Sequence, residues 1–480
     1  MYSWEQIESG IEDIQNDYNS GLIALRHETN GAVLFGNAHD RYRIFQLYLN
    51  PLAEFILKEI CVESLNAQTI KDALVKAGQT EKEAIENLAK LVAITRFDKD
   101  SSAFEYNVIG EELSAPINLA WDITNTCNLT CSYCMNSSGP LIDDELNIDE
   151  CLKVADQIAD LGLFNVWIGG GEPLMKKGIE KVLRRLKQNN VKIILATNGI
   201  LLKNQKYIDL VAETCTEINI SIDGIDQTQH SSLRGAGAKL EHSINAIKLI
   251  KEKYPHIYVT ALTVIHKGNL SLVPQIIDFC YEIGCDKWTH DELYALGRGS
   301  TMSKIILSHD GYDDLYSMVT KKADEYKGRM IVEDYVRMHR LPEPGKVKPF
   351  YGCVAGNQEI SIQYDGSVYP CQKLQYDKYY CGNVKDKSLR QIWEENPILI
   401  WLRHRNIEKT ECSGCTIFSL GQCNGGCLAE KEIVFQRHDT RDPLCPENRG
   451  TYETILNDPL VKYQYLVERP VPVQKIGETR

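Results

Sequence analysis

Three cysteines fall within one short segment, CNLTCSYC, at Cys127, Cys131 and Cys134. A Cx3CxxC loop of this kind can converge three thiolates on a 4Fe-4S cube and leave one iron open, which a four-cysteine zinc site does not do. Seven more cysteines crowd the stretch 353–445, as Cys353, Cys371, Cys412, Cys415, Cys423, Cys427 and Cys445. CxxC pairs also suit tetrahedral zinc, but seven thiols serve two clusters better than one zinc ion. The other six, Cys61, Cys151, Cys215, Cys280, Cys285 and Cys381, are scattered, and for most of them buried packing is the reading. Sixteen cysteines in a reducing compartment point to metal or redox chemistry rather than to disulfides.

The elements that position these thiols show in the pattern of apolar residues. From 111 to about 300, β-branched runs (INLAWDI, FNVWIGG, VKIILAT, EINISID, IYVTALTV, DKWTHD) alternate with amphipathic stretches such as IDECLKVADQIADLG. Six βα repeats imply a parallel, right-handed, barrel-like sheet, with chemistry in the loops at the carboxyl ends of its strands. The polar motifs sit there: the cysteine loop after strand one, Gly170-Gly171-Glu172-Pro173 after strand two, Asn198 after strand three, Ser221 and Asp223 after strand four, and Arg234 in SSLRG. Ahead of this core, GLIALRHE, GAVLFG and RIFQLYLN read as short strands, followed by three helices, a small winged-helix pattern. Behind it PEPGKVKP is a linker, and cysteine then replaces hydrophobic periodicity as the organising feature.

Composition bounds the setting. With 43% hydrophobic and 25% charged residues the 480-residue chain reads as an ordinary globular protein of several domains. No apolar run is long enough to span a membrane, and the acidic, polar amino terminus is no secretory signal, so the expectation is a cytoplasmic protein. A formal charge of -13 disfavours nonspecific binding to nucleic acid or to an anionic membrane.

With Tyr133 as the aromatic residue of its Cx3CxφC loop, the chain resembles the radical S-adenosylmethionine (SAM) superfamily. That resemblance implies a partial (β/α)6 TIM-like barrel in which Cys127, Cys131 and Cys134 ligate the SAM cluster. By the same resemblance Gly170, Gly171, Glu172 and Pro173 bind the SAM amine, Asn198, Ser221 and Asp223 meet the ribose, and Arg234 pairs with the carboxylate. Glycines would admit backbone carbonyls to the ammonium, Glu172 would add negative charge, and Arg234 can grip a carboxylate bidentately. The implied reaction is reductive cleavage of SAM to a 5′-deoxyadenosyl radical that abstracts a substrate hydrogen, supplied with electrons by a flavodoxin or ferredoxin.

The carboxy-terminal cysteines, with DGSVYPC and GNVKDKSLRQIWEENP, resemble the SPASM domain, which holds auxiliary iron-sulfur clusters. The pattern implies one cluster on Cys412, Cys415, Cys423 and Cys445 and another on Cys353, Cys371 and Cys427, with the latter either open or closed by Cys381. In sulfatase-maturing relatives an aspartate base follows the cysteine corresponding to Cys371; here Gln372 stands there and cannot take a proton, which disfavours that activity. The amino-terminal pattern resembles the RiPP-recognition element, typified by the peptide chaperone of pyrroloquinoline quinone biosynthesis, which implies a leader peptide added as a strand to a sheet edge.

The domains expected are 1–110 winged helix, 111–340 barrel, 341–450 SPASM and 451–480 tail. The function expected is oxidative maturation of a ribosomally made precursor peptide, with a thioether cross-link first and a carbon-carbon or carbon-oxygen cross-link or epimerisation behind it. A cofactor-biosynthesis oxidoreductase acting on a small molecule and a non-catalytic binding scaffold are the rivals. Glu292, Tyr294 and Asp365 are equal candidates for a general base.

Overall fold

The computed structural model describes residues 2–20, 23–28, 31–37, 44–96, 113–139, 144–334, 353–405, 409–419, 423 and 425–448. The expected linker at 342–349 and the tail at 451–480 lie outside them. The chain divides into two compact units, Met1–Ser114 and Ala115–Arg480.

In the first unit, helix α1 (Trp4–Asn19) opens on a capping box in which Ser3 and Gln6 satisfy each other's backbone N–H groups. The sequence pattern alone gave no notice of this helix, because its apolar residues Ile7, Ile11 and Ile14 are thinly spread among charges. They occupy one face and are buried. Strands β1 (Ile23–Glu28), β2 (Gly31–Asn37) and β3 (Ile44–Leu49) form an antiparallel sheet in the order β1-β2-β3, as the three apolar runs led one to expect. Gly31 is required between the strands, since a Cβ there would lie 1.9 Å from the Leu49 carbonyl oxygen. Helices α2 (Pro51–Cys61), α3 (Ala67–Lys76) and α4 (Glu81–Arg96) follow, the first two capped by Asn50 and Asn66. Ile56, Leu57, Ile60, Ile70, Leu74, Leu88 and Leu91 close over α1 and Leu34. Each such side chain contributes roughly 1.5–3 kcal/mol on burial.

The second unit is built on one sheet. Strands β4 (Asn118–Thr124), β5 (Asn165–Gly170), β6 (Lys192–Thr197), β7 (Glu217–Ser221), β8 (Tyr258–Ile265) and β9 (Lys287–Glu292) pair in parallel in sequence order. Helices α5 (Ile148–Asp160), α6 (Ile179–Gln188), α7 (Gln205–Thr214), α8 (Gln227–Arg234), α9 (Leu240–Lys253) and α10 (Val273–Glu282) lie between them, because parallel neighbours need crossovers. The sheet then extends at both edges. β10 (Ile331–Glu333) adds in parallel to β9. At the other edge β11 (Glu359–Ile362) pairs in parallel with β4 and leads an antiparallel β12 (Ser367–Tyr369) and β13 (Gly382–Asn383). The cysteine-rich region therefore continues the barrel's sheet across the boundary expected at 340. The physical reason is that edge β4 must otherwise leave a row of backbone groups unpaired beside a buried core.

Candidate active site

The cysteine loop leaves β4 at Thr124 and is held mostly by residues other than cysteine. Glu145 accepts hydrogen bonds from the Thr124 hydroxyl and the Asn125 N–H, both at 2.7 Å, and pairs with Lys176 at 2.9 Å. Burial pushes the Glu145 carboxyl up, but the bonds from Lys176, Thr124 and Asn125 outweigh it and hold it below the usual range. Farther along, Arg298 donates from Nε to the Cys131 carbonyl and from Nη1 to the Ser138 carbonyl, each at 2.8 Å. Its neighbour Gly297, at φ +54°, lies so close to the loop that a Cβ would stand 2.3 Å from the Met135 carbonyl oxygen. The three thiols lie within electrostatic reach of one another, and burial pushes Cys127 up to about 11.

Strand β5 ends in the glycine pair. Gly171 donates to the Thr124 carbonyl at 2.7 Å and Glu172 to the Thr126 carbonyl at 2.9 Å, which stitches this turn to the cysteine loop. A side chain on Gly171 would place Cβ 2.2 Å from the Thr126 carbonyl oxygen. Close approach to the neighbouring strand thus explains these glycines in full. Glu172 is fully buried and accepts from the Thr197 hydroxyl at 2.9 Å and from the Asn198 and Leu174 N–H groups at 2.9 and 3.2 Å. Burial pushes its pKa above the ordinary carboxyl value, and those three donors oppose the rise. Pro173 starts the short turn behind it.

Asn198 reaches the same loop, donating to the Asn128 side chain at 2.7 Å and lying 3.9 Å from the Cys127 sulfur. Ser221 closes β7, and Asp223 follows, buried with Arg234 and joined by the half-buried Tyr133. Tyr133 donates its hydroxyl to Asp223 at 2.6 Å, while Arg234 Nη1 donates to Tyr133 at 2.6 Å and to Asp223 at 3.2 Å. Asp223 also accepts from the Val264 N–H at 2.9 Å. Burial works against the charge on Arg234, but Tyr133, Asp223 and Cys131 hold it on. Burial and Arg234 together depress His230 to about 4, so its neutral Nδ1 accepts the Asp223 N–H at 3.3 Å.

These residues fit a bound SAM. Arg234 Nε is buried without a hydrogen-bond partner, an orphaned cationic donor beside the Cys131 thiol and suited to a carboxylate. Asp223 is committed to Arg234, Tyr133 and Val264, so the ribose contact expected of it would require this trio to share or rearrange.

The seven later cysteines separate into two sets. Cys353 and Cys427 share a sulfur hydrogen bond, and Cys371 acts electrostatically on both. Cys423 feels Cys412 and Cys415, and Cys445 feels Cys412 and Cys423. Asp442 organises the turn between the sets, accepting from the Cys427 N–H at 2.7 Å and the Leu444 N–H at 2.8 Å. Cys381 stands apart, its buried thiol donating to the Tyr379 carbonyl at 3.3 Å. Among the described residues no three His, Cys, Asp or Glu side chains close to the spacing of a single metal ion. Thiolates on a cube stand wider, since each binds a different iron.

Residues 121–280 match the radical SAM superfamily, and residues 353–416 match the SPASM iron-sulfur cluster-binding domain. This protein is a radical SAM enzyme. Its cofactors are SAM and 4Fe-4S clusters. Among curated proteins it is similar to the mycofactocin maturase MftC of Mycolicibacterium smegmatis, 26% identical over 70% of this chain and 84% of that one. It is also similar to the AdoMet-dependent heme synthase of Oleidesulfovibrio alaskensis, 24% identical over 68% and 86%. In fold it is similar to Streptococcus suis SuiB bound to S-adenosylmethionine, with a TM-score of 0.66 at 19% identity over 88% of this chain and 99% of SuiB.

Within this radical SAM enzyme the three candidate bases occupy different settings. Asp365 accepts from the Ser367 N–H at 2.9 Å and forms a turn. Glu292 accepts from the Tyr312 hydroxyl at 2.7 Å. Tyr294 is buried between Asp291 and Lys373, whose ammonium lies 3.9 Å from its ring centre; burial, then Asp291 and Glu292, push its phenol well up, away from a base's range. Gln372 donates to Asp122 at 3.1 Å, and Asn136 and Gln363 donate to the same carboxylate at 3.0 and 3.2 Å. Sequence reading missed Glu145, Arg298, Asp122 and Lys373; the GRG run at 297–299, a glycine pair flanking an arginine just past the sixth strand, was the one available signal. No helix among the described residues is long and apolar enough to cross a membrane.

Proposed function

We propose that this enzyme oxidatively modifies a ribosomally synthesised precursor peptide, forming a thioether between a cysteine sulfur and a carbon. The observation that carries the reading is the separation of the seven carboxy-terminal cysteines into two sets beside a complete SAM constellation, because such an arrangement can accept an electron from substrate. Joining S–H to C–H removes two hydrogens, one as an abstracted atom and one as a proton with an electron left for an internal acceptor. In this reading Cys127, Cys131 and Cys134 hold the SAM cluster, Cys412, Cys415, Cys423 and Cys445 one auxiliary cluster, and Cys353, Cys371 and Cys427 another. Bound there with SAM, the first cluster would supply one-electron cleavage and hydrogen abstraction.

The chain's own residues place and protect. Arg234 would fix the SAM carboxylate through Nη and the orphaned Nε, while Asn198 and the 170–173 turn would fix the remaining polar groups. Glu172 acts as a positioning residue, since its carboxylate already braces β5 against β6 through Thr197 and Asn198. The peptide substrate is supported by the maturase MftC and by the SuiB structure solved with precursor peptide SuiA, of similar fold at a TM-score of 0.65. In the first unit the strand order leaves β1 and β3 as edges to which an extended leader could add.

A test uses as substrate any short cysteine-containing peptide whose reading frame adjoins the gene for this enzyme. Full-length enzyme should bind it and convert it to a product lacking two hydrogens, with sulfur bonded to carbon in the fragment spectrum. Deletion of residues 1–105 should abolish binding while 5′-deoxyadenosine still forms. The similarity to AdoMet-dependent heme synthases favours a second reading, a small-molecule oxidoreductase. Unchanged substrate affinity after that deletion would select it.

A further inference from the structure

The six parallel strands carry two unlike faces. One is apolar and fully buried, with Trp121, Ile123, Val166, Ile168, Leu195 and Ile220 at 0% exposure, and it is the side the crossover helices cover. Strand register defines the other. Ala196 pairs with Asn219, and Ser221, two residues on, pairs with Leu262, which pairs in turn with Thr289. Ser361 pairs with Ala120 and Ala120 with Trp167, two residues beyond Asn165; Trp167 pairs with Ile194, two residues before Ala196. Alternate residues of a strand share a face, so Asn165, Asn219, Thr289 and Ser361 all lie on the inner side of the sheet.

Each of these four holds a buried polar atom with no hydrogen-bond partner among the described residues: Oδ1 of Asn165 and Asn219, Oγ1 of Thr289 and Oγ of Ser361. Asn219 and Thr289 are only 3% and 5% exposed. Folded proteins pair nearly all their buried polar atoms, so four orphans on one face mark a face that a ligand completes. Branched apolar side chains would fill the inside of a closed barrel. Here the register instead sets Gly169 beside Asp122 and Ala196 beside Asn219. A Cβ at Gly169 would meet nothing nearer than 3.6 Å, so no neighbour demands that glycine, and the two small residues leave the inner face low between Asp122 and Asn219.

Charge selects among ligands. Asp122, Glu217, Asp291 and Glu333 share this face with Lys192 and Lys287, and Lys287 is already paired with Glu333. That balance repels a polycarboxylate or a phosphate. The orphans are uncharged, and the two amide oxygens only accept, so they suit the N–H groups of an uncharged ligand. We propose that Asn219 and Thr289 bind the main chain of the peptide segment being modified and hold it against the inner face of the barrel. This rests on the reading above that the substrate is a peptide. Asn219 stands two residues, about 7 Å, along β7 from Ser221, the residue expected at the SAM ribose, which sets the held segment beside SAM.

The test compares full-length reconstituted wild type with Thr289→Val, Asn219→Leu and the double variant, using any short cysteine-containing peptide encoded next to the gene. Saturating peptide removes any contribution of leader affinity. Each substitution replaces an unpaired polar atom by an apolar one of similar shape, so the melting temperature without peptide should hold or rise. The KM for SAM should not change. Cross-linked peptide formed per 5′-deoxyadenosine should fall about tenfold or more in the double variant, because a misplaced segment leaves the radical unproductive. Thr289→Val alone decides the matter if Asn219→Leu does not fold. A wild-type product ratio in the variants would overturn the proposal, as would a lowered melting temperature with the ratio intact, which reveals a partner within the protein. A raised KM for SAM would reassign these residues to SAM and overturn it too. Wild-type enzyme that makes 5′-deoxyadenosine but leaves the peptide unmodified overturns the peptide reading itself, whereas turnover by wild type with unaltered variants overturns only the role of the inner face.

Discussion

The two cysteine regions are built on opposite principles. Around Cys127, Cys131 and Cys134 the backbone is fixed by the Glu145 carboxylate just ahead of α5, the Arg298 guanidinium in the 3-10 segment Gly297–Ile305, and the close-packed glycines Gly171 and Gly297. Among the described residues of 409–448 there are two short α-helices, Thr416–Ser419 and Leu428–Phe435, and a 3-10 turn at Pro446–Asn448, and Asp442 ties the turns around Cys427 and Leu444. One site is shaped before any cluster arrives; the other needs its clusters to complete its shape.

The sharpest way to break this comparison is at the thiols themselves. Alanine at Cys127, Cys131 or Cys134 should reduce 5′-deoxyadenosine formation to background while thermal stability changes little, because the scaffold does not depend on sulfur. Removal of iron by a chelator under oxidising conditions should have the next largest effect, and an uneven one. Hydrogen exchange should rise throughout 409–448 yet stay slow in β4–β9, and equal loss of protection in both regions would erase the distinction. Arg298→Ala should cost about 3 kcal/mol, since charge-assisted hydrogen bonds contribute about 1.5–3 kcal/mol each, and should lower iron retention at the first cluster. Arg298→Lys should recover little of this, because an ammonium cannot fork between two carbonyls.

The smallest effect concerns pH. His230 is held neutral in the fold down to about 4, against 6.5 when free. The unfolded chain therefore takes up a proton first as the pH falls, and the fold loses stability between those two values. At about pH 5 the loss is about 2 kcal/mol. Glu or Gln would both keep an acceptor for the Asp223 N–H, but only Gln avoids a new charge, so His230→Gln should flatten the acid side of a denaturant-midpoint profile by that amount.

The contrast also explains what could be read from the sequence. The βα alternation and the motifs after each strand were legible because both are local: a β-branched run and the turn that follows it, as at Gly170–Pro173 or Asn198, are adjacent in the chain. The partners of those motifs were not. Arg298 meets Ser138 across 160 residues, and β11 joins β4 from the far end of the barrel sequence. Helix α1 was missed for a different reason: three isoleucines make a core face only when the charged residues between them are seen to project outward.

The central claim is that a SAM site and auxiliary clusters act together on a peptide. It is tested most directly by anaerobic incubation of the fully reconstituted enzyme with reductant, SAM and any short cysteine-containing peptide encoded next to its gene, followed by mass analysis of both products. The account predicts 5′-deoxyadenosine together with a peptide lighter by two hydrogens. Absence of 5′-deoxyadenosine, or its formation with the peptide mass unchanged, would contradict it.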